Sequence, residues 1–178
     1  VFVAKFDVQG NFLWGRNGGG PGGGRTLSLA CSPGGEGYLA GTYSSNATFG
    51  ATTLTNRDVY DANAFLVKYD GDGNVLWARQ AGGSSSDQAF GTAVDKDGNV
   101  YLTGYFVANA LFGTIGITNG AGTSAFLAKY DAAGDVQWVQ HAEGPNFAIG
   151  RRVAVDNQNN IYWGGDFAGT ISFGSIPL

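Results

Sequence analysis

The chain is poor in the residues that most enzyme chemistry needs. Its 178 residues include one cysteine, Cys31, one histidine, His141, and two glutamates, Glu36 and Glu143. A lone cysteine excludes a disulfide within the chain and leaves its redox compartment unread. One histidine and one cysteine do not make a zinc site of the usual kind. Charged residues are 13% of the total, about half the ordinary share, and the net charge is −4. Such a balance offers no basic patch to nucleic-acid phosphates and no attraction to an anionic membrane surface. No apolar run approaches the roughly 20 residues of a spanning helix. No segment reads as a signal peptide, and none keeps a capped helical period. Methionine is absent and Val1 falls inside a repeat, so the natural start is expected upstream.

What is abundant is glycine, at 31 residues, and aromatic side chains, at 13%. That mixture suits many short strands joined by tight turns and does not suit disorder. The chain also repeats itself. Trp14, Trp77 and Trp138 are separated by steps of 63 and 61 residues, and Phe2, Phe65 and Phe126 keep the same steps. So do Gly41, Gly104 and Gly165, and the pairs Phe49-Gly50, Phe112-Gly113 and Phe173-Gly174. A long period built of short strands predicts a repeat architecture.

Within one period, Phe65-Leu66-Val67-Lys68-Tyr69-Asp70 alternates as a strand does. A turn follows at Gly71-Asp72-Gly73-Asn74, where Gly10, Gly73 and Gly134 align at a left-handed position. The strand Val75-Leu76-Trp77-Ala78-Arg79 closes the hairpin. A second hairpin joins Gly91–Asp95 to Val100–Tyr105 through Lys96-Asp97-Gly98-Asn99. Its first strand is expected innermost, with Ala30, Ala93 and Ala154 at a crowded position. Cys31 aligns with Val94 and Val155 and is expected to be a small buried hydrophobe. The Phe-Gly pair lies in a loop leading to the next copy.

A four-stranded antiparallel meander repeated head to tail predicts an all-β fold, a β-propeller with a period of about 62 residues and an incomplete ring in this chain. Residues 1–22 read as the second half of a blade, 23–85 and 86–146 as blades, and 147–178 as the first half of another. All belong to one propeller domain, expected to be part of a longer chain. A ring of six or seven such blades needs roughly 370–430 residues. The other way to complete the ring is for copies to join end to end.

Val94-Asp95-Lys96-Asp97-Gly98-Asn99-Val100-Tyr101-Leu102-Thr103-Gly104-Tyr105 resembles the core of the SBBP type of β-propeller repeat. Ala125–Asp131 followed by Trp138 resembles its second half, and 159–165 and 32–41 are weaker copies. The chain is similar, more distantly, to NHL-type propeller repeats. The resemblance implies a bacterial protein, secreted or at the cell surface, often within a large multi-domain chain. It brings no shared catalytic residues.

Candidate chemistry is explained mostly by folding. Asp70, Asp72 and Asn74, and Asp95, Asp97 and Asn99, alternate oxygen ligands as calcium loops do. Calcium is the cofactor such loops would take. The bidentate Glu is missing, since the twelfth residues are Ala81 and Phe106, so hairpin turns are expected instead. The run Gly18–Gly23 reads as a flexible connector, because a phosphate loop would need a following helix. His141 is expected at the surface, and Asn46-Ala47-Thr48 marks a loop. The informative departure is Arg57-Asp58-Val59-Tyr60-Asp61-Ala62-Asn63, two residues longer than Gly120–Ser124 in the next copy. Binding on repeat scaffolds resides in such loops, so Arg57, Asp58, Tyr60 and Asp61 form the candidate partner-binding loop. The function expected is a non-catalytic extracellular or cell-surface interaction module. Its partner would be a protein, a glycan, or further copies or blades of the same protein. The alternatives are a polysaccharide-active enzyme with a central-channel site and a self-assembling filament or ring subunit.

Overall fold

The computed structural model describes residues 1–56 and 61–178. They form antiparallel β-structure with no helix among the described residues. Five of the hairpin turns are locked by an aspartate, and Ser32 takes that place between Cys31 and Gly37, where its Oγ accepts from Glu36 N–H. Asp70 Oδ1 accepts the N–H groups of Asp72 and Asn74 at 2.9 and 2.8 Å, and Oδ2 accepts from Asn74 Nδ2. Asp7, Asp95, Asp131 and Asp156 each accept the same two backbone N–H groups. The aspartate loops that resemble calcium loops are therefore Asx-type turns. Asn159 replaces the turn glycine at φ 63°, as asparagine tolerates.

Strands β1 (Phe2–Phe6) and β2 (Phe12–Asn17) make the first hairpin. Strands β3 (Gly24–Cys31), β4 (Gly37–Ser44), β7 (Ala62–Tyr69) and β8 (Val75–Gly82) follow in spatial order as an antiparallel unit. Strands β9 (Gln88–Val94), β10 (Val100–Phe112), β11 (Ile115–Tyr130) and β12 (Val136–Glu143) repeat it. The register repeats too, with Gly41 opposite Phe65 and Gly104 opposite Phe126. Strands β13 (Ala148–Val155) and β14 (Ile161–Phe167) form a further hairpin. The sheets do not close into a ring.

The Phe-Gly loops fold further than the sequence reading allows. β5 (Ala47–Phe49) and β6 (Thr52–Leu54) pair as a small hairpin, and so do β15 (Ser172–Phe173) and β16 (Ile176–Pro177). The tips of β10 and β11 are the middle copy. Each reaches back to the preceding unit: Thr48 bridges Gly19, Leu111 and Phe112 pair with Gly82 and Ala81, and Phe173 pairs with Ala142.

Tryptophan joins the units a second way. Trp14 Nε1 donates to Gly71 O at 2.9 Å, and Trp77 Nε1 to Ala132 O at 3.1 Å. Lys5 and Lys68 donate to the same two carbonyls. The indole covers the next turn, where a Cβ on Gly73 or Gly134 would stand 2.7 or 2.8 Å from its ring. Both glycines also have positive φ. The tryptophans are thus structural contacts between units, with Trp77 buried. Tyr38, Leu66, Leu102, Phe126 and Tyr130 lie in the largest buried core cluster.

Three expectations need correction. Cys31 is exposed and joins none of the core clusters of the described residues. Its counterparts Val94 and Val155 pack against core clusters. The Gly18–Gly23 run is a packed seam and not a free connector: side chains on Gly18, Gly20 and Gly22 would collide with Phe49, Asn46 and Ser44. The crowding expected at the recurrent alanine is absent at Ala154, which is exposed. The first strands do gather, since Thr92 N–H donates to Ser28 Oγ at 3.0 Å and Arg152 Nη1 to Phe90 O at 3.3 Å.

Candidate functional site

The loop between β6 and β7 ends beside a polar cleft. Arg57, Asp58 and Tyr60 lie outside the described residues. Asp61 adjoins the cleft through Asn56, which lines it: its backbone carbonyl accepts from Asn56 Nδ2 at 2.8 Å, and its Oδ1 accepts from Ser86 Oγ at 3.1 Å. The cleft holds about 560 Å³ and is lined by Thr55, Asn56, Asn63, Gln80 and the 82–84 segment. Asn63 is buried, and its Oδ1 accepts no hydrogen bond from the described residues. Tyr43 donates from its hydroxyl to Gln80 Oε1 at 2.9 Å, and burial pushes the phenol up to about 12.

Asp87 holds Gly83, which lines the cleft. Its Oδ2 accepts from Gly83 N–H at 2.6 Å, its Oδ1 from Val107 N–H at 3.1 Å, and its own N–H donates to Ala62 O at 2.7 Å. One side chain thereby ties the β8–β9 connector to β10 of the next unit. Burial pushes its carboxyl up to about 7, and the nearby charge of Asp61 adds to the effect. Two backbone donors act against that rise without cancelling it.

These residues break the repeat. Asp87 stands where the other copies have Gly24 and Ala148, Asn63 where the next has Ser124, and Tyr43 where they have Phe106 and Phe167. Gln80 corresponds to Asn17 and His141. His141, half-buried on β12, pairs with Glu143 at 2.7 Å and lies edge-on to Phe106. Sequence reasoning singled out Asp61 but missed Asp87, Tyr43 and Gln80. The signal that could have found them is their departure from the register. Among the described residues, no group of three His, Cys, Asp or Glu side chains is arranged to hold a metal ion.

Residues 76–105, from β8 through β9 into β10, match the SBBP family, a β-propeller repeat. The chain is similar to an uncharacterized WD repeat-containing protein, L264, of Acanthamoeba polyphaga mimivirus, at 32% identity over 112 residues. It is also similar to the regulatory protein FlaEY of Caulobacter vibrioides, at 28% identity over 126 residues. These alignments take in 59% and 68% of this chain but only 8% and 13% of the relatives' own length. The turn-locked strands of residues 76–105, among them the one that carries Trp77, thus match a β-propeller repeat of the SBBP type.

Proposed function

We propose that the chain is a β-propeller module for protein interaction, acting outside the cell or at a bacterial cell surface. In this reading β3-β4-β7-β8 and β9-β10-β11-β12 are complete four-stranded blades, with half-blades on either side. The location rests on the family resemblance, and the protein partner on the SBBP repeat and the WD-repeat relative. One observation carries the site: Asn63 and Gln80, which depart from the repeat, line one cleft beside the longer loop, and Tyr43 and Asp87, which also depart from it, bond to Gln80 and Gly83 in its wall. Structural positions recur in every blade, whereas a binding site needs to be unique. Amide side chains in the cleft offer paired donors and acceptors, which suit a peptide backbone.

The test is capture of a partner from extracts of the producing cells on the immobilised chain. Asp61→Ala and Gln80→Ala are expected to lose the captured protein, while Lys96→Ala, on a distant turn, keeps it. Equal capture by all three variants would refute the site.

A further inference from the structure

The four residues that break the repeat at the cleft stand in a row, and the row has one gap. Gln80 Oε1 accepts from the Tyr43 hydroxyl at 2.9 Å. The Tyr43 oxygen in turn takes a hydrogen bond from the Asn63 side chain, which acts against the rise of the phenol, as a donor does. The only donor on that side chain is Nδ2. Asn63 Oδ1 is left over, buried and with no hydrogen bond from the described residues. Its neighbour is Asp87. Asn63 Oδ1 and Asp87 Oδ2 both lie within 2.8 Å of the point where a Cβ on Gly82 would stand. An amide oxygen and an ionised carboxylate are both acceptors, so no bond joins them. A buried acceptor that faces another acceptor is costly and needs a cause.

The surroundings supply no other donor. Gly83 and Val107 already give their N–H groups to the Asp87 carboxylate. Asp61, just before β7, is the charge felt by Asp87, and it takes the Ser86 hydroxyl. On β10 the titratable neighbour is Tyr105, whose phenol is raised by burial and by the Asp87 charge. No lysine, arginine or histidine among the described residues pairs with Asp61 or Asp87.

We propose that a proton held on Asp87 Oδ2 closes the row by donating to Asn63 Oδ1, and that its release to water reverses every bond in the row. With the proton in place, donors run from Asp87 through Asn63 and Tyr43 to Gln80 Oε1. Gln80 Nε2 is then free. Once the proton has left, the Asn63 amide turns over and Nδ2 donates to the carboxylate. The Tyr43 hydroxyl donates to Asn63 Oδ1, and its oxygen accepts from Gln80 Nε2. Two amides and one hydroxyl rotate, and no backbone change is needed. Gln80 lines the cleft. It therefore offers the partner an N–H in the protonated state and a carbonyl in the ionised one. Burial sets the change near neutrality, at about 7. Such a row has two discrete arrangements because each bond fixes the next. The effect on a partner rests on reading the cleft as a binding site; the row itself does not.

NMR of side-chain amides and carboxyls on the chain alone, from about pH 5 to about pH 9, tests it. The Asp87 carboxyl and the Asn63 and Gln80 amides are expected to shift together, with one midpoint of about 7. Tyr43→Phe places there the residue of the other copies, Phe106 and Phe167. It should abolish the Gln80 response and keep that of Asn63. Asn63→Ser, the residue of the next copy, should also silence Gln80 and lower the Asp87 midpoint by about one pH unit, the loss of one hydrogen bond to its neutral form. A backbone spectrum unchanged away from the cleft shows that both variants fold. A Gln80 amide that stays flat in the wild type, or still shifts in Tyr43→Phe, overturns the proposal, as does an ordinary Asp87 midpoint. Partner capture at pH 6 and pH 8 then separates the two readings. Retention that differs with pH in the wild type and not in Tyr43→Phe supports the switch, and retention equal in both overturns its effect on binding. If no protein is captured at either pH, the cleft reading falls, and the NMR outcome still decides the switch.

Discussion

The contact between Trp77 and Gly134 can be dissected by a double-mutant cycle. Trp77 is buried, lies against Tyr38, and donates to Ala132 O of the following turn. Trp77→Ala removes this packing and is expected to cost about 3–5 kcal/mol. Ala132 O keeps Lys68 Nζ at 3.2 Å, so the carbonyl is not left bare. Gly134→Ala is unfavourable for two separable reasons. The residue sits at φ +85°, which costs an L-residue about 1–2 kcal/mol. Its Cβ would also stand 2.8 Å from the Trp77 ring, a clash worth about 1–3 kcal/mol. Truncating Trp77 removes the clash and leaves the dihedral cost. Gly134→Ala should therefore cost about 2–5 kcal/mol in the wild type and only about 1–2 kcal/mol beside Trp77→Ala. Urea denaturation of the four chains measures the coupling. Strict additivity would mean that the indole does not rest on the turn, and the reading of tryptophan as the joint between units would fall.

Two further outcomes are expected. Burial raises Asp87 to about 7 from 3.8. A carboxyl raised on folding contributes stability that is complete below the unfolded value and is lost as pH climbs through the folded one, here between about pH 4 and pH 7, on the order of 4 kcal/mol in all. The turn aspartates Asp7, Asp70 and Asp156 are shifted downward, so their own loss comes on acidification below pH 4. Urea melts between pH 5 and pH 8 should thus show falling stability that Asp87→Asn flattens, and an unchanged slope in the variant would refute the assignment. Melting temperatures with and without EDTA should coincide, since the Asp70 and Asp95 carboxylates already accept turn N–H groups; a drop of many degrees on chelation would make those loops metal sites.

The hairpins were legible in the sequence because their causes are local. An aspartate that bonds N–H groups two and four residues on, with glycine or asparagine at a left-handed position, closes its turn without help from the rest of the chain. The repeated markers fixed the register of successive units, and the longer loop drew attention to Asp61. Tertiary structure decided what depends on neighbours. The Phe-Gly segments became strands because each finds the outer strand of the preceding unit, a partner far away in sequence. Cys31 shares a register with Val94 and Val155 but not their surroundings, since an aligned position inherits a direction in the sheet and not the residues packed against it. Gln80 lines the cleft, and Tyr43 and Asp87 reach its wall through hydrogen bonds to Gln80 and Gly83, only when β4, β8 and the connector to β9 are assembled. Their chemistry arises from burial and proximity, which no single strand carries by itself.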